Sequence, residues 1–308
     1  MEHKSLVVTV PNSFVSDTLG DISNGVVLVE WDMAGASPLQ RIDIVIPPYL
    51  QPIDVLANLD GLDVALVQSL TLGYDGVAEI LPKNMTFANA ASVHETSTAE
   101  LTLALILASQ RALPEFVRAA QAGKWAPVWR PSLADRTVLL VGYGGVGRAI
   151  EARLLPFETT VLRLAQHERS DERGRIYGRD ALLELLPIAD VVVVAVPLDE
   201  STNHLVDAEF LSFMADASLL VNVSRGAVAD TDALVAAAQS GRLRLALDVT
   251  DPEPLPKGHP LFALENVLIS PHVGGMTSAA LPRMARLLYR QIERMRRGEE
   301  PLNVVLRT

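Results

Sequence analysis

The chain has 308 residues, of which 49% are hydrophobic and 20% charged, and this length and composition predict two globular domains. It has no cysteine, which excludes disulfide and thiol chemistry, predicts a cytoplasmic location and leaves only His and carboxylates as metal ligands; we expect no metal site. The formal net charge of −11 opposes binding to nucleic-acid phosphates, so we expect no nucleic-acid partner.

The first 95 residues carry short β-branched runs that predict a smaller α/β domain. Its predicted strands are Leu6–Val10, Val26–Val29, Ile42–Ile46 and Val64–Gln68. Just beyond them, the apolar stretch Leu101–Ala108 predicts a buried helix, because it is far shorter than a membrane span. We therefore expect no membrane partner.

The second part of the chain alternates β-branched runs with helical stretches. Its six predicted strands are Thr137–Val141, Thr160–Leu164, Val191–Val196, Leu219–Val223, Leu245–Val249 and Val267–Ile269. Near-continuous Val and Leu strands are typical of a parallel sheet covered on both faces, and the alternation implies βαβ crossovers. The sequence therefore predicts an α/β fold, with a doubly wound parallel-sheet (Rossmann) nucleotide domain and a smaller flavodoxin-like α/β substrate domain.

The domain boundaries follow from the last predicted helix, Ala279 to Arg296. This helix comes after the sixth strand of the sheet and can return to the first domain. We therefore expect the substrate-binding domain to comprise residues 1–96 and 281–308, and the dinucleotide-binding domain to comprise residues 97–280.

A glycine-rich turn, G-x-G-x-x-G, begins directly after the first strand of the predicted nucleotide domain. Gly142 permits the tight turn, Gly144 lets the backbone approach a pyrophosphate, and Gly147 permits close packing of helix and strand. Gly145 and Val146 supply amides at the start of the helix, where anions bind. Because a strand precedes the motif and a helix follows it, we expect a dinucleotide site rather than a turn that binds nothing.

Cofactor preference depends on the end of the second strand of this domain. NAD-specific domains place an acidic residue there, about 20 positions after the glycines, to bind the ribose hydroxyls. In this chain Ala165 stands at that position, and Arg163, His167 and Arg169 lie nearby. Basic side chains without a carboxylate suit a 2′-phosphate, so we expect NADP as the cofactor, with NAD as the alternative, and Arg169 as the phosphate ligand. The alternative to a phosphate-binding site is a solvent-exposed basic loop that binds no ligand.

Three further segments stand at predicted strand ends, where such sheets bind ligands. They are Val221–Gly226 with Arg225, Asp248–Leu255 with Glu253, and Ser270–Gly275 with His272. Reduction of a 2-oxo acid needs a cation for the carboxylate, a proton donor for the carbonyl oxygen, and a carboxylate that keeps the donor protonated. Each residue alone would be taken as structural or surface-exposed. Together they predict a catalytic site.

In order and content these motifs resemble the D-2-hydroxyacid dehydrogenases of the glyoxylate/hydroxypyruvate reductase type, and the resemblance runs from about Val67 to Val305. It implies that Arg225 clamps the substrate's carboxylate and carbonyl, that His272 is the general acid, and that Glu253 pairs with the histidine. The further cofactor contacts that the resemblance implies are Thr98, Pro197, Val223, Ser224, Asp248 and Gly275.

The segment Ser69–Asp75 resembles the first-domain loop whose backbone amides bind the substrate carboxylate, which implies Leu72 and Gly73 as substrate contacts. Thr71 replaces a glycine that is common in the family, and this departure leaves the loop geometry and the substrate open. His94 is interpreted as a structural residue rather than as part of the site.

The sequence thus predicts an oxidoreductase that transfers a hydride between a nicotinamide cofactor and a small 2-oxo acid, such as glyoxylate or hydroxypyruvate, in a cleft that closes on both. The resemblance also implies a homodimer built on the nucleotide domains. Two alternatives stay open: a dinucleotide-sensing binding protein without turnover, and a related phosphite or formate dehydrogenase. Formate dehydrogenases look similar but pair the histidine with glutamine, so Glu253 favours oxo-acid reduction.

Overall fold

The computed structural model describes residues 5–19, 25–49 and 51–308. The chain divides into two compact units, Met1–His94 with Ser278–Thr308, and Glu95–Thr277. In chain order the strands are β1 Leu6–Val10, β2 Val26–Glu30, β3 Arg41–Val45, β4 Asp63–Gln68, β5 Thr86–Ala88, β6 Thr137–Val141, β7 Thr160–Leu164, β8 Arg169–Asp171, β9 Gly174–Ile176, β10 Val191–Val194, β11 Leu219–Asn222, β12 Arg244–Leu247, β13 Val267–Ile269 and β14 Val304–Arg307. The helices are α1 Ser13–Leu19, α2 Val77–Ile80, α3 Glu95–Gln110, α4 Leu113–Gln121, α5 Gly145–Leu154, α6 Leu182–Leu185, α7 Ala208–Phe213, α8 Thr231–Gln239 and α9 Ala280–Arg296. Within the described ranges, every helix is too short or too polar to span a bilayer.

The smaller unit is built on a six-stranded sheet. Five strands run parallel in the order β2-β1-β3-β4-β5, which is the flavodoxin-like order, and β14 joins β5 antiparallel at the edge. Helix α9 covers this sheet because its apolar stripe, with Met284, Leu288 and Ile292, shares a core with Val8 and Leu66 of the strands. The predicted flavodoxin-like fold is therefore confirmed.

The larger unit contains an all-parallel sheet in the order β7-β6-β10-β11-β12-β13, so the strand order reverses between β6 and β10. Leu139 and Val141 of β6 pack into one core, and Val138 and Leu140 pack into another on the opposite face. Burial on both faces explains why these strands are continuous apolar runs. The predicted Rossmann fold is confirmed, and its ligand crevice is expected where the strand order reverses.

Several elements differ from the sequence prediction at their ends. The run Val191–Val196 was expected to be one strand, but β10 ends at Val194 and the next residues enter a loop. The hairpin β8–β9 was not predicted, because the residues of β8 are all polar and exposed and carry no apolar period. The edge strand β14 was also missed, since its residues are only partly buried.

Candidate active site

Three loops leave the same edge of the larger sheet, because β11, β12 and β13 are neighbouring parallel strands. Arg225 follows β11, Glu253 follows β12 and His272 follows β13. The structure therefore brings the three predicted catalytic residues to one edge of one unit, which is the edge at which open α/β sheets bind ligands.

His272 and Glu253 form a hydrogen-bonded pair. The Nδ1 atom of His272 lies 2.6 Å from Oε1 of Glu253, and both side chains are a little over two-fifths exposed. A carboxylate accepts from Nδ1–H, so this contact leaves Nε2 as the ring nitrogen that the pair does not engage. The backbone of His272 is in the left-handed region, with φ of 52°, and its N–H donates to the carbonyl oxygen of Asp248 at 2.7 Å.

Asp248 fastens the loop that carries His272. Its buried carboxylate accepts from the Ser270 hydroxyl at 2.6 Å and from the backbone N–H groups of Val273 and Gly274 at 3.0 and 2.9 Å. A Cβ atom at Gly274 would lie 3.0 Å from the carboxylate of Asp248 and 3.3 Å from Oγ1 of Thr98, so the predicted cofactor residue Thr98 lies beside this loop.

Arg225 stands in a turn that Asn222 closes at the end of β11. The Asn222 side chain accepts from the backbone and hydroxyl of Ser224, at 3.0 and 2.7 Å, and donates to the carbonyl of Arg225 at 3.0 Å. The next residue is Gly226, where a Cβ atom would lie 1.9 Å from the carbonyl oxygen of Thr250. Only glycine therefore permits the loop of Arg225 to pack against the loop that leads to Glu253.

The glycine-rich turn has the geometry that its sequence predicts. Gly142 has φ of +103°, and a Cβ atom there would lie 2.4 Å from the carbonyl oxygen of Ala195 at the end of β10. A Cβ atom at Gly147 would lie 2.3 Å from the carbonyl oxygen of Gly142, so helix α5 can pack only on a glycine. At Gly144 no heavy atom lies within 4 Å of such a position, which leaves open space at the helix start for a phosphate.

A cavity of about 500 Å³ adjoins this turn. It is lined by apolar residues from the ends of β7 and β10, among them Ala165 and Pro197, by Gly144 of the turn, and by polar side chains that include Arg169, Arg179 and Thr202. The structure thus brings the predicted cofactor residues Gly144, Ala165, Arg169 and Pro197 together around one cavity. The glycine turn, the amides of Gly145 and Val146 at the start of α5, and this cavity fit a dinucleotide.

The remaining predicted cofactor residues lie elsewhere on the same edge. Val223 is buried at the end of β11, and Ser224 is held in the adjoining turn. Gly275 follows the loop of His272, and its carbonyl accepts from the N–H of Thr277 at 3.0 Å.

Of the three basic residues near Ala165, Arg163 is turned into the fold and does not line the cavity. Its side chain is buried and is held by carboxylates, with Nη1 2.8 Å from Asp171 and Nε 3.7 Å from Glu151. It also lies over the ring of Tyr143, 5.3 Å from the ring centroid. Burial lowers the pKa of Arg163, but the hydrogen bonds with Tyr143 and Asp171 outweigh it and raise the pKa overall. An arginine committed in this way is part of the fold, and His167 is likewise not among the residues that line the cavity.

In the smaller unit, Thr71 closes the loop that follows β4 upon itself. Its hydroxyl donates to the carbonyl of Gly73 at 3.0 Å and lies 2.9 Å from the hydroxyl of Ser69, which also accepts from the Thr71 N–H at 3.0 Å. The threonine that departs from the family pattern therefore forms side-chain hydrogen bonds within the loop that a glycine could not form.

Two side chains from neighbouring segments form hydrogen bonds with the backbone of the same loop. Nε2 of the buried His94 lies 2.8 Å from the carbonyl oxygen of Leu70, and the amide of Asn89 donates to the carbonyl of Leu72 at 2.8 Å. These contacts agree with the structural interpretation of His94. Across the described residues, the backbone N–H groups of Leu72 and Gly73 donate to no protein atom, so both remain available to an anion.

Comparison with known proteins agrees with this geometry. A family model described as "D-isomer specific 2-hydroxyacid dehydrogenase, NAD binding domain" matches residues 103–274. A glyoxylate reductase of Thermofilum pendens is 33% identical over 250 residues, which cover 78% of this chain and 74% of that protein. This chain belongs to the D-isomer-specific 2-hydroxyacid dehydrogenase family. The human glyoxylate reductase/hydroxypyruvate reductase is also 33% identical over 250 residues, covering 78% of this chain and 76% of the relative.

The fold of this D-2-hydroxyacid dehydrogenase matches solved relatives over its whole length. The D-isomer specific 2-hydroxyacid dehydrogenase of Xanthobacter autotrophicus Py2, solved in complex with NADPH and MES, aligns with a TM-score of 0.84 over 98% of both chains at 27% identity. The predicted enzyme class, an NAD(P)-dependent oxidoreductase acting on 2-oxo and 2-hydroxy acids, is confirmed by these matches.

Sequence reasoning missed three features of this dehydrogenase. Arg179 lines the cavity although it lies 32 positions beyond the last motif glycine, Gly147. The clash at Gly226 and the hydrogen bond from Tyr143 to Glu151 arise from tertiary packing. The motif Ser-Arg-Gly was a usable signal for Gly226, whereas no local pattern marked the other two.

Proposed function

We propose that this enzyme reduces small 2-oxo acids of the glyoxylate and hydroxypyruvate type, with NADPH preferred over NADH. The hydrogen bond between His272 and Glu253 carries the proposal, because it supplies a proton donor held by a carboxylate at the ligand-binding edge of the sheet. Relatives at 33% identity are named glyoxylate reductase and glyoxylate reductase/hydroxypyruvate reductase, which supports this substrate class.

Each catalytic residue has a distinct task in this proposal. When bound, the reduced nicotinamide supplies the hydride that reaches the carbonyl carbon of the substrate. His272 donates the Nε2 proton to the carbonyl oxygen as the C=O π electrons move onto that oxygen, and Glu253 stabilises the protonated ring through Nδ1. Arg225 holds the substrate carboxylate with its planar fork. In the smaller unit, the amides of Leu72 and Gly73 are the substrate contacts that the family resemblance implies.

The NADPH preference rests on the cavity beside the glycine turn. Ala165 replaces the carboxylate that would repel a 2′-phosphate, and Arg169 places a guanidinium in the lining. The NADPH-bound relative from Xanthobacter supports the same cofactor. We therefore assign dinucleotide binding to the unit Glu95–Thr277 and a substrate-side role to the other unit.

We further propose that the enzyme is a homodimer in the cytoplasm, as the family resemblance implies. Trp125 and Trp129 are 97% and 99% exposed in the single chain, and helix α4, which precedes them, has no buried residue. Arg130, which directly follows Trp129, forms an ion pair with Glu115 of α4. A second copy of this chain is the proposed partner for this surface, because large aromatic side chains such as Trp125 and Trp129 are enriched in interface cores. The cysteine-free composition supports the compartment.

Steady-state kinetics test the proposed activity. Glyoxylate, hydroxypyruvate and phenylpyruvate are added in turn with NADPH and with NADH, and loss of the reduced-nicotinamide absorbance band is followed. Sustained loss, faster with NADPH, is the expected result. Cofactor binding without turnover on any 2-oxo acid would instead favour a dinucleotide sensor, and reduction of NADP+ by formate or phosphite would favour the related dehydrogenases.

Light scattering tests the proposed dimer. The wild type is expected to have the mass of a dimer, and the double variant Trp125→Ser/Trp129→Ser is expected to have the mass of a monomer.

A further inference from the structure

The part of the chain from β7 to the start of α6 carries five arginines, one in β7 itself and four after it, and they divide into two groups. Arg163, Arg173 and Arg175 each pair with a carboxylate, whereas Arg169 and Arg179 have no carboxylate partner among the described residues. These two are also the arginines that line the cavity of about 500 Å³ beside the glycine turn. The unpaired positive charge of this segment is therefore concentrated at one place.

Both lining arginines are anchored through a single nitrogen. Nη2 of Arg179 donates to the carbonyl of Ser201 at 2.6 Å, and Nη2 of Arg169 donates to the carbonyl of Tyr143 at 3.1 Å. A guanidinium has five N–H donors in a rigid fork, so each keeps donors for a ligand after this anchoring. Arg169 lies on β8 and Arg179 lies just before α6, and both line the same cavity.

The segments that carry these arginines are themselves fixed. The buried guanidinium of Arg163 donates to the carbonyls of Arg173 and Arg175 at 2.9 and 3.0 Å, and Arg173 pairs with the buried Glu151 at 2.7 Å. These contacts hold the backbone of the β8–β9 hairpin, which carries Arg169.

The segment of Arg179 is braced as well. A Cβ atom at Gly178 would lie 3.2 Å from the backbone nitrogen of Glu168, so glycine lets this segment pack on the loop before the hairpin. Asp199 is the one carboxylate in the cavity lining, and its Oδ1 accepts from the Ser201 N–H and hydroxyl, at 2.8 and 2.7 Å, and from the N–H of Thr202 at 3.1 Å. The lining thus carries two arginines and one carboxylate, and that carboxylate is already hydrogen-bonded to Ser201 and Thr202. The cavity lining is therefore positively charged, although the whole chain has a net charge of −11.

Most of the remaining lining is apolar and includes Leu164, Leu182, Val196, Pro197 and Leu205. Such a surface suits the flat face of a purine, and a phosphomonoester next to it carries nearly two negative charges near neutral pH. One guanidinium group carries a single positive charge and would balance only about half of the negative charge of the phosphate. Two guanidinium groups match it.

We propose that Arg179 is a second ligand of the 2′-phosphate, so that Arg169 and Arg179 together hold this group and set the preference for NADPH. The inference rests on the proposed function, because it takes NADPH as the cofactor. The competing role for Arg179 is stacking on the adenine, which would serve NADH and NADPH equally.

Calorimetric titration with cofactor fragments separates these roles without requiring turnover. 2′,5′-ADP and 5′-AMP are titrated into the wild type, Arg179→Ala, Arg179→Lys and Arg169→Ala. The matched control is Arg175→Ala, since Arg175 pairs with Glu168 on the same hairpin and lies outside the lining. Thermal melting confirms that each variant is folded.

The expected result for Arg179→Ala is binding of 2′,5′-ADP weakened about tenfold or more, as for one charged hydrogen bond lost, with 5′-AMP changed less than about twofold. Arg169→Ala should behave alike, Arg179→Lys should lie between wild type and alanine, and Arg175→Ala should match the wild type. Equal weakening of both fragments, or of neither, overturns the role of Arg179 while the NADPH preference stands. A wild type that binds both fragments equally overturns the preference itself and the inference with it.

Discussion

Nδ1 of His272 lies 2.6 Å from Oε1 of Glu253, although the two residues come from loops after different strands. The contact exists because β12 and β13 are parallel neighbours and because Asp248 fastens the histidine loop through three hydrogen bonds. The pair engages Nδ1, so Nε2 is the ring nitrogen that we propose as the proton donor.

Replacing His272 by alanine should remove most of the turnover and leave cofactor binding intact. The substitution deletes the proton donor, which typically contributes about 10²- to 10⁴-fold in rate, and leaves the turn Gly142–Gly147 in place. Turnover is measured by steady-state kinetics and NADPH binding by fluorescence titration. His204→Ala serves as a control, because His204 is an exposed histidine of the same unit. Turnover of His272→Ala within a few-fold of wild type would remove His272 from the mechanism.

Arg225→Lys should cost about 2–3 kcal/mol of transition-state binding, on the order of one charge-assisted hydrogen bond plus misalignment. Lysine keeps the charge but cannot form two parallel hydrogen bonds to a carboxylate. The loss should appear in kcat/KM for the 2-oxo acid, with the dissociation constant of NADPH unchanged. If lysine works as well as arginine, the proposed role of Arg225 as the clamp of the carboxylate is wrong.

Gly226→Ala should disturb the site although residue 226 touches no substrate. Its Cβ atom would lie 1.9 Å from the carbonyl oxygen of Thr250, so the loops of Arg225 and Glu253 must move apart. Overpacking of this kind costs about 1–3 kcal/mol, and the variant should show a lower Tm and a lower kcat. Gly35→Ala is the matched control, because no heavy atom lies within 4 Å of its Cβ position. A Gly226→Ala enzyme with wild-type kcat would mean that the loops tolerate the separation.

The sequence was sufficient where a feature depends on local pattern or on parallel pairing. The strands β6, β7 and β13 have the predicted bounds, and the glycine-rich turn has the predicted geometry. It did not distinguish Arg163 from the other basic residues near Ala165, because spacing alone does not reveal that this side chain points into the fold, toward Glu151 and Asp171. Arg179 was missed because it lies far along the chain from the glycine-rich motif, and only tertiary packing places it in the cavity lining.

Tyr143 should ionise at a higher pH in the native protein than in the unfolded chain. Burial, and then the hydrogen bond to Glu151, raise the pKa of Tyr143 above 10.0, although Arg163 lowers it in part. The folded state therefore holds this proton more tightly. The stability that Tyr143 contributes is complete below pH 10 and is lost as the pH rises through its native pKa.

The phenolate absorbance band, followed in an alkaline titration, measures this effect. Tyr143→Phe should remove one late-titrating group from the native curve, and protein unfolded in guanidinium chloride serves as the reference. A native curve whose late portion is the same in wild type and Tyr143→Phe would contradict the assignment.

Ala165→Asp should move the cofactor preference from NADPH toward NADH. Ala165 lines the cavity at the end of β7, where an aspartate would accept hydrogen bonds from the ribose hydroxyls of NADH and repel a 2′-phosphate. We expect kcat/KM for NADPH to fall about tenfold or more relative to that for NADH, the scale of one charged contact reversed. Ala165→Asn has the same size without the charge and separates repulsion from crowding: it should change the ratio far less. A wild type that favours NADH tenfold, or an Ala165→Asn variant that shifts the ratio as much as Ala165→Asp, would overturn the electrostatic basis of the preference.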